Sequence, residues 1–323
     1  MSEYTFELYK NSDAEKVIAL FSKCFGKERG RDEWLWQYHH CPYGQGSVVC
    51  KHGSDLAGFY GVIRRPLFIH QKEVMSGHIL DVMTHPDHQG KGLFTSAARA
   101  AFEKSRSGGI KLFFGWPNKK ALPGHQKVNW RELGSRDILK HPLKSLQGDE
   151  KQNLVEKSTW EEGVRLSTDL DDLFRLRVKN SDIIADRRWS WLHWRYALRP
   201  GFGYFPILCR NKRDDSLDGL AVLRMRQFEG RKIGHIVDYL TRPGADSAIK
   251  SLESWALNHF AHEGCAFAQC LENNDAMTDV ALWQSEPERE LPFIIRSTDD
   301  SGSDTPTTEL KEWYLTLGDC DVF

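Results

Sequence analysis

The sequence predicts an α/β (α+β) chain of two tandem copies of one fold, each a mixed central sheet flanked by helices. Three observations carry this. A ten-residue block, GHILDVMTHP from Gly77 to Pro86, returns as GHIVDYLTRP from Gly234 to Pro243, an offset of 157 residues. Trp36, Tyr38 and Pro42 return as Trp194, Tyr196 and Pro200 at an offset of 158, so two blocks lie on one diagonal. After each GHIxD block come a helical apolar pattern, a glycine (Gly109 or Gly264), a short apolar segment and an asparagine (Asn118 or Asn273). At 323 residues the chain has room for two domains of ordinary size. The expected division is 1–150 and 151–323, with a linker in the polar stretch Gly148–Glu162.

In the first copy, Ser12 and Glu15 have capping-box spacing, and Val17, Leu20, Phe21 and Cys24 follow at helical intervals. A helix is therefore predicted up to Phe25, stopped by Gly26. β-type segments follow at Ser47–Lys51, Leu56–Ile63, Leu67–His70 and Gly77–Thr84, a meander of antiparallel strands with turns near Gly53 and Gln71. From Phe94, the residues Ala97, Ala98, Ala101 and Phe102 form one helical stripe ended by Gly108 and Gly109. Ile110–Phe114 then returns as a strand parallel to the one ending at Thr84, because a helix lies between them. Ala248, Ile249, Leu252, Trp255 and Ala256 give the second copy its matching helix. Ser297–Thr308 reads as a solvated loop before a last strand near Trp313–Leu317.

Composition narrows the function. Lys and Arg total 44 against 45 Asp and Glu, for a net charge of -1, which disfavours nucleic acid or an anionic membrane as a partner. A hydrophobic fraction of 40% with 11 Trp and 17 Phe is that of a folding chain. No apolar run reaches a membrane span and Met1–Lys10 lacks signal-peptide character, so the expectation is cytoplasmic. Seven scattered cysteines without a CxxC pair predict reduced thiols and no metal site.

The chemistry concentrates in His85–Thr95, HPDHQGKGLFT, between a strand and a helix. Gly90 and Gly92 permit backbone torsions costly for other residues, and the turn opens directly into a helix. Successive N–H groups and the positive end of the helix dipole then converge on a site suited to phosphate, with Lys91 adding charge. The second copy has PGADSAIK at this place. Asp246 puts a negative charge where phosphate would lie, so that copy is expected not to bind by the same loop. It reads as a supporting half that helps shape an acceptor cleft.

Gln89-Gly90-Lys91-Gly92-Leu93-Phe94 resembles the Q/R-x-x-G-x-G/A loop of the GCN5-related N-acetyltransferase (GNAT) superfamily, with Phe94 in place of the last small residue. The meander, helix and parallel strand agree in order over about residues 3–147. The resemblance implies transfer of an acetyl group from acetyl-CoA to an amine by direct attack, the acceptor being an amino sugar, metabolite or peptide amine. It places the coenzyme diphosphate on Gln89, Gly90, Lys91, Gly92, Leu93, Phe94 and Thr95, the pantetheine on the main chain of Val82, Met83 and Thr84, and an amide contact at Asn118. His125 stands where the family often has a tyrosine acid, in a segment HQKVNW where Y-x-K-x-G-F is frequent. The candidate base is Asp81, the nearest strand carboxylate, although its counterpart Asp238 in the copy without the loop points to a structural role. The Trp34, Trp36 and Tyr38 cluster reads as core ahead of an acceptor-stacking surface. Two other readings are a non-catalytic acyl-CoA scaffold and a tandem aminoacyl-transferase using charged tRNA.

Overall fold

The computed structural model describes residues 4–143, 155–161, 163–273, 283–298 and 308–320. Residues 148–154 and 162 of the predicted linker, and residues 299–307 of the predicted solvated loop, lie outside these. The first copy runs β1 (Tyr4–Leu8), α1 (Ala14–Phe25), α2 (Arg31–Tyr38), β2 (Val48–His52), β3 (Asp55–Ile69), β4 (Lys72–Thr84), α3 (Leu93–Ser107), β5 (Leu112–Gly115), α4 (Leu122–Gln126) and β6 (Arg131–Pro142). The second runs β7 (Val155–Lys157), α5 (Gly163–Val178), β8 (Ile183–Ala185), α6 (Trp189–Leu192), β9 (Tyr204–Arg210), β10 (Leu217–Phe228), β11 (Arg231–Thr241), α7 (Asp246–His262), β12 (Phe267–Leu271), β13 (Gln284–Ser297) and β14 (Trp313–Tyr314).

The repeat read from the sequence is thus a repeat of elements. In each copy a short first strand pairs antiparallel with the first strand of the meander, β1 on β2 and β7 on β9. The glycine-histidine strands β4 and β11 pair in parallel with β5 and β12, as the intervening helices require. The meanders are antiparallel, β2 on β3 and β9 on β10 on β11.

The last strand of each copy departs from this simple picture. The chain divides into two compact units, Met1–Leu67, Lys72–Gly134 and Pro292–Leu310 in one, and Phe68–Gln71, Ser135–Leu291 and Lys311–Phe323 in the other. In the first unit β5 is flanked by residues of β13, Ile294 opposite Gly115 and Ser297 opposite Leu112. In the second, β12 is flanked by β6, Phe267 opposite Pro142 and Leu271 opposite Ile138. Each half of the sequence therefore supplies a strand to the unit built mainly from the other half.

Local differences from the sequence reading have physical causes. The two segments Leu56–Ile63 and Leu67–His70 are one fifteen-residue strand that runs through Pro66. The turn at His70 and Gln71, both at positive φ, joins it to β4. Asp13 stands at the start of α1, and its Oδ2 accepts the Lys10 N–H at 3.1 Å, in place of the predicted Ser12–Glu15 box. Arg31–Tyr38, read only as an aromatic cluster, is a helix. Val155–Lys157, inside the predicted linker, forms an edge strand too short to show a period. The predicted last strand is only Trp313–Tyr314, because Leu317–Asp319 turns into a 3₁₀ helix.

The core of the first unit joins α3 to its sheet. Ala97, Ala98, Ala101 and Phe102 lie with Val62, Ile79 and Phe113, and small residues on the helix allow close approach to the strands. Gly77 is required here, since a Cβ would stand 2.6 Å from the Phe113 ring, and Gly234 meets the Phe260 ring likewise. Trp34, Trp36 and Tyr38 are buried, with the Trp34 indole donating to Tyr9 Oη at 2.9 Å, so they are core and do not face an acceptor.

Candidate functional site

The site is built where β4 and β5 part. Their parallel pairing runs from Ser76 opposite Leu112 to Ile79 opposite Gly115 and stops. Two residues later Asp81 takes a φ of 49°, in the left-handed region, which bends the strand like a bulge. Beyond it β4 continues to Thr84 with no strand partner on the β5 side among the described residues. An unpaired strand edge offers N–H and C=O groups to an extended amide-bearing arm, as it would to another strand. Val82, Met83 and Thr84 lie on this stretch, although the Thr84 carbonyl already accepts from Cys24 Sγ at 3.4 Å and Gln89 Nε2 at 3.4 Å.

The glycine loop follows at once. Pro86–His88 forms a 3₁₀ turn in which His88 N–H donates to the His85 carbonyl and Gln89 N–H to the Pro86 carbonyl. Gly90 and Gly92 then adopt φ of 75° and 73°, and α3 begins at Leu93. The first helical hydrogen bond from this end is Ser96 N–H to the Gly92 carbonyl. Six consecutive N–H groups, Gly90, Lys91, Gly92, Leu93, Phe94 and Thr95, thus have no partner among the described residues. Leaving so many donors open in one turn is characteristic of an anion cradle at a helix start.

Cations border it. Lys91 Nζ lies 3.1 Å from the Asp87 carbonyl, and Lys23 Nζ is 3.2 Å from His85 Nε2. The Phe94 ring turns away from the loop onto His125, with centroids 5.0 Å apart, and covers Gly124, so its N–H stays at the loop.

The second copy shows what the loop adds. Thr241 matches Thr84, yet α7 starts only five residues after it, whereas α3 starts nine after Thr84. The shorter turn closes on itself. Ala245 N–H donates to the Arg242 carbonyl, and the Ala245 carbonyl accepts from Ala248 and Ile249. Gly244 keeps a φ of 77°, but it sits in no run of open donors comparable to Gly90–Thr95.

Asp81 is held by one oxygen. Its Oδ2 accepts from Arg29 Nη1 at 2.7 Å, Gln37 Nε2 at 2.9 Å and Tyr38 Oη at 2.8 Å, while Oδ1 receives no hydrogen bond from the described residues. Burial, followed by the Asp81 charge, raises the Tyr38 hydroxyl well above the ordinary phenol range, so it stays a donor. The same triad stands in the second unit. Asp238 accepts from Arg187 Nε at 2.9 Å and Tyr196 Oη at 2.7 Å, and also from Thr316 Oγ1 at 2.9 Å. Arg29 and Arg187 are 158 residues apart, like Tyr38 and Tyr196. The arginine–tyrosine–aspartate clamp persists where the loop is gone, at the left-handed Asp81 in the first unit and beside the register shift opposite Val222 and Leu223 in the second, so it serves the strand in both units. Arg29 escaped the sequence reading, yet it lies on the same self-comparison diagonal, which was the signal for it.

The other two candidates are placed differently. Asn118 is exposed and caps the turn into α4, its Oδ1 accepting from Lys120 N–H at 3.0 Å and Ala121 N–H at 2.9 Å. That capping role leaves its Nδ2 group as the donor for a ligand. His125 is buried against Phe94, Tyr60 and Trp130. Burial lowers its pKa to about 4, so the ring is neutral at neutral pH and carries no spare proton for a leaving group.

That burial has a measurable consequence. The unfolded chain takes up the His125 proton near pH 6.5, whereas the folded chain resists until about 4, so the histidine's contribution to stability is full above pH 6.5 and lost as pH falls toward 4. The span corresponds to roughly 3 kcal/mol at 1.36 kcal/mol per pKa unit. Urea midpoints measured from pH 7 to 4 are expected to fall less steeply in His125→Leu than in the wild type. Equal slopes would show that the ring titrates normally.

Among the described residues, no three His, Cys, Asp or Glu side chains are grouped to hold a metal, and no helix is long and apolar enough to cross a membrane.

Residues 5–131 match the family model for the acetyltransferase (GNAT) domain. No curated protein matches the chain in sequence. Among solved structures, the chain is similar to a GCN5-related N-acetyltransferase from Anabaena variabilis ATCC 29413, at 13% identity and a TM-score of 0.72, covering 92% of this chain and 73% of that one. It is similar to a GCN5-related N-acetyltransferase from Kribbella flavida at 12% identity and a TM-score of 0.66, covering 91% and 71%. Saccharomyces cerevisiae N-myristoyltransferase with bound myristoyl-CoA is matched at 12% identity and a TM-score of 0.61, covering 91% and 78%. At these identities the likeness is one of fold.

Proposed function

Starting from a chain that carries a GNAT acetyltransferase domain over residues 5–131 and is an acyltransferase, we propose that it transfers the acetyl group of acetyl-CoA to the amine of a small acceptor, an amino sugar, metabolite or peptide amine. The observation that carries this reading is the run of six open N–H groups, Gly90–Thr95, set at the end of an unpaired strand edge. The diphosphate is bound by those donors together with the α3 dipole, Lys91 contributing charge. The pantetheine amides lie along Val82, Met83 and Thr84, with Asn118 Nδ2 reaching the arm from the other side of the cleft. This directs the thioester to the bend at Asp81.

There the acceptor nitrogen attacks the thioester carbon, the C–S bond breaks, and the amine gives up a proton. Most of the acceleration comes from holding the two reactants together and from strand N–H groups directed at the developing oxyanion. Asp81 Oδ1, the carboxylate oxygen outside the Arg29–Gln37–Tyr38 clamp, receives the amine proton through water. The thiolate takes its proton from water, since buried neutral His125 does not supply one. The acceptor is a small molecule in this reading, with neither nucleic acid nor membrane as partner.

Thiol release from acetyl-CoA across a panel of small amines tests the proposal. Amine-dependent release in the wild type is expected. Coenzyme binding without release for any amine would leave a scaffold in place of an enzyme, and absence of coenzyme binding would remove the loop assignment.

A further inference from the structure

A second charged cavity lies on the flank of α3 within the first unit. It measures about 390 Å³ and is lined by Arg99, Phe102, Glu103, Arg106, Lys127, Val128, Asn129, Arg296 and Thr298. Four cationic side chains face it against one carboxylate. At 1.5 Å of rise per residue, Arg99 stands about 10 Å and Arg106 about 20 Å down the helix from Gly92. The cavity is therefore separate from the diphosphate cradle at the helix start.

Its floor is built and its rim is uncommitted. Arg296 is 7% exposed, donates from Nε to the Val128 carbonyl at 2.8 Å and from Nη1 to the Ser297 carbonyl at 2.6 Å, and lies 4.0 Å over the Phe102 ring. Arg106 is anchored through Nε to the Thr298 carbonyl at 3.0 Å. By contrast, Arg99 and Lys127 make no side-chain hydrogen bond or ion pair with any described residue, and Glu103 pairs with neither. Two fixed guanidinium groups and two free cations around one concavity repel one another unless an anion joins them. Guanidinium groups match phosphate oxygens in a two-pronged geometry, and the Phe102 ring gives an apolar surface for the organic part.

We propose that this cavity binds a phosphate monoester. Two sources share that chemistry, a free phosphorylated metabolite and the 3′-phosphate of the coenzyme itself, and only the second rests on the donor reading above. The probes are methyl phosphate, coenzyme A and 3′-dephospho-coenzyme A, titrated calorimetrically into the wild type, the double variant Arg99→Gln with Lys127→Gln, and Glu103→Gln. All three positions are exposed, so the variants fold.

Methyl phosphate is expected to bind the wild type, at least tenfold more weakly to the double variant, and more tightly to Glu103→Gln. If the metabolite is the ligand, the two coenzymes bind alike and methyl phosphate still binds in their presence. If the 3′-phosphate is the ligand, coenzyme A binds more tightly than its dephospho form, the double variant erases that preference, and methyl phosphate competes. Methyl phosphate binding that is absent or unchanged in all variants, with the two coenzymes equal throughout, overturns the cavity. Coenzyme binding that survives this result keeps the donor loop standing on its own.

Discussion

Gly92→Val is expected to weaken coenzyme A binding about thirtyfold, and Gly90→Val similarly. Both glycines sit at φ near 75° with open space around the position of a Cβ, so the penalty does not come from a clash. It comes from the backbone, because a left-handed conformation costs a residue other than glycine about 1–3 kcal/mol, most for a β-branched side chain. A valine relaxes by leaving that conformation, and the N–H groups of the turn then no longer converge. A loss of 2 kcal/mol is about thirtyfold in affinity. Gly244→Val is the control. Its φ of 77° imposes the same strain in the second unit, so it should cost similar stability while coenzyme affinity stays put. Isothermal titration of the three variants separates a binding loop from a merely strained turn.

Asp238→Ala is expected to destabilise the second unit by about 3–5 kcal/mol, the range for removing one partner of a buried ion pair. Arg187 is fully buried, and Asp238 carries one of its two ion pairs, the other being Asp319. The Tyr196 hydroxyl and Thr316 Oγ1 would lose an acceptor as well. Denaturant unfolding followed by near-ultraviolet signals should show an early transition. A wild-type midpoint would mean that Asp319 alone satisfies the guanidinium. The matching change Asp81→Ala should cost less, since Asp81 and Arg29 keep some contact with solvent.

This clamp shows how far the sequence could be read. Self-comparison reveals two copies because recurring residues survive divergence, and the loop is recognisable because glycine spacing at a strand-to-helix junction has one simple physical use. Arg29 lay on the same diagonal as Tyr38 and Asp81, but an isolated arginine in a polar segment carries no periodicity, and its importance emerges only when the carboxylate beside it is seen. The helix Arg31–Tyr38 was hidden because three aromatic residues in eight give it almost no apolar face. The exchanged strands were beyond reach for another reason. β6 and β13 were not among the strands read from the sequence, and the partner of a strand is set in any case by contacts more than a hundred residues away along the chain. His125 illustrates the same limit for chemistry, since a position alone gives a residue type while burial decides its protonation.

The account stands most directly on the open N–H groups of Gly90–Thr95. Amide hydrogen exchange of the full chain, measured with and without saturating coenzyme A, reads those groups one by one. Slowed exchange across Gly90–Thr95 and along Val82–Thr84, with Gly244–Ser247 unchanged, is the predicted result. Protection that appears elsewhere while Gly90–Thr95 exchanges at its free rate would contradict it.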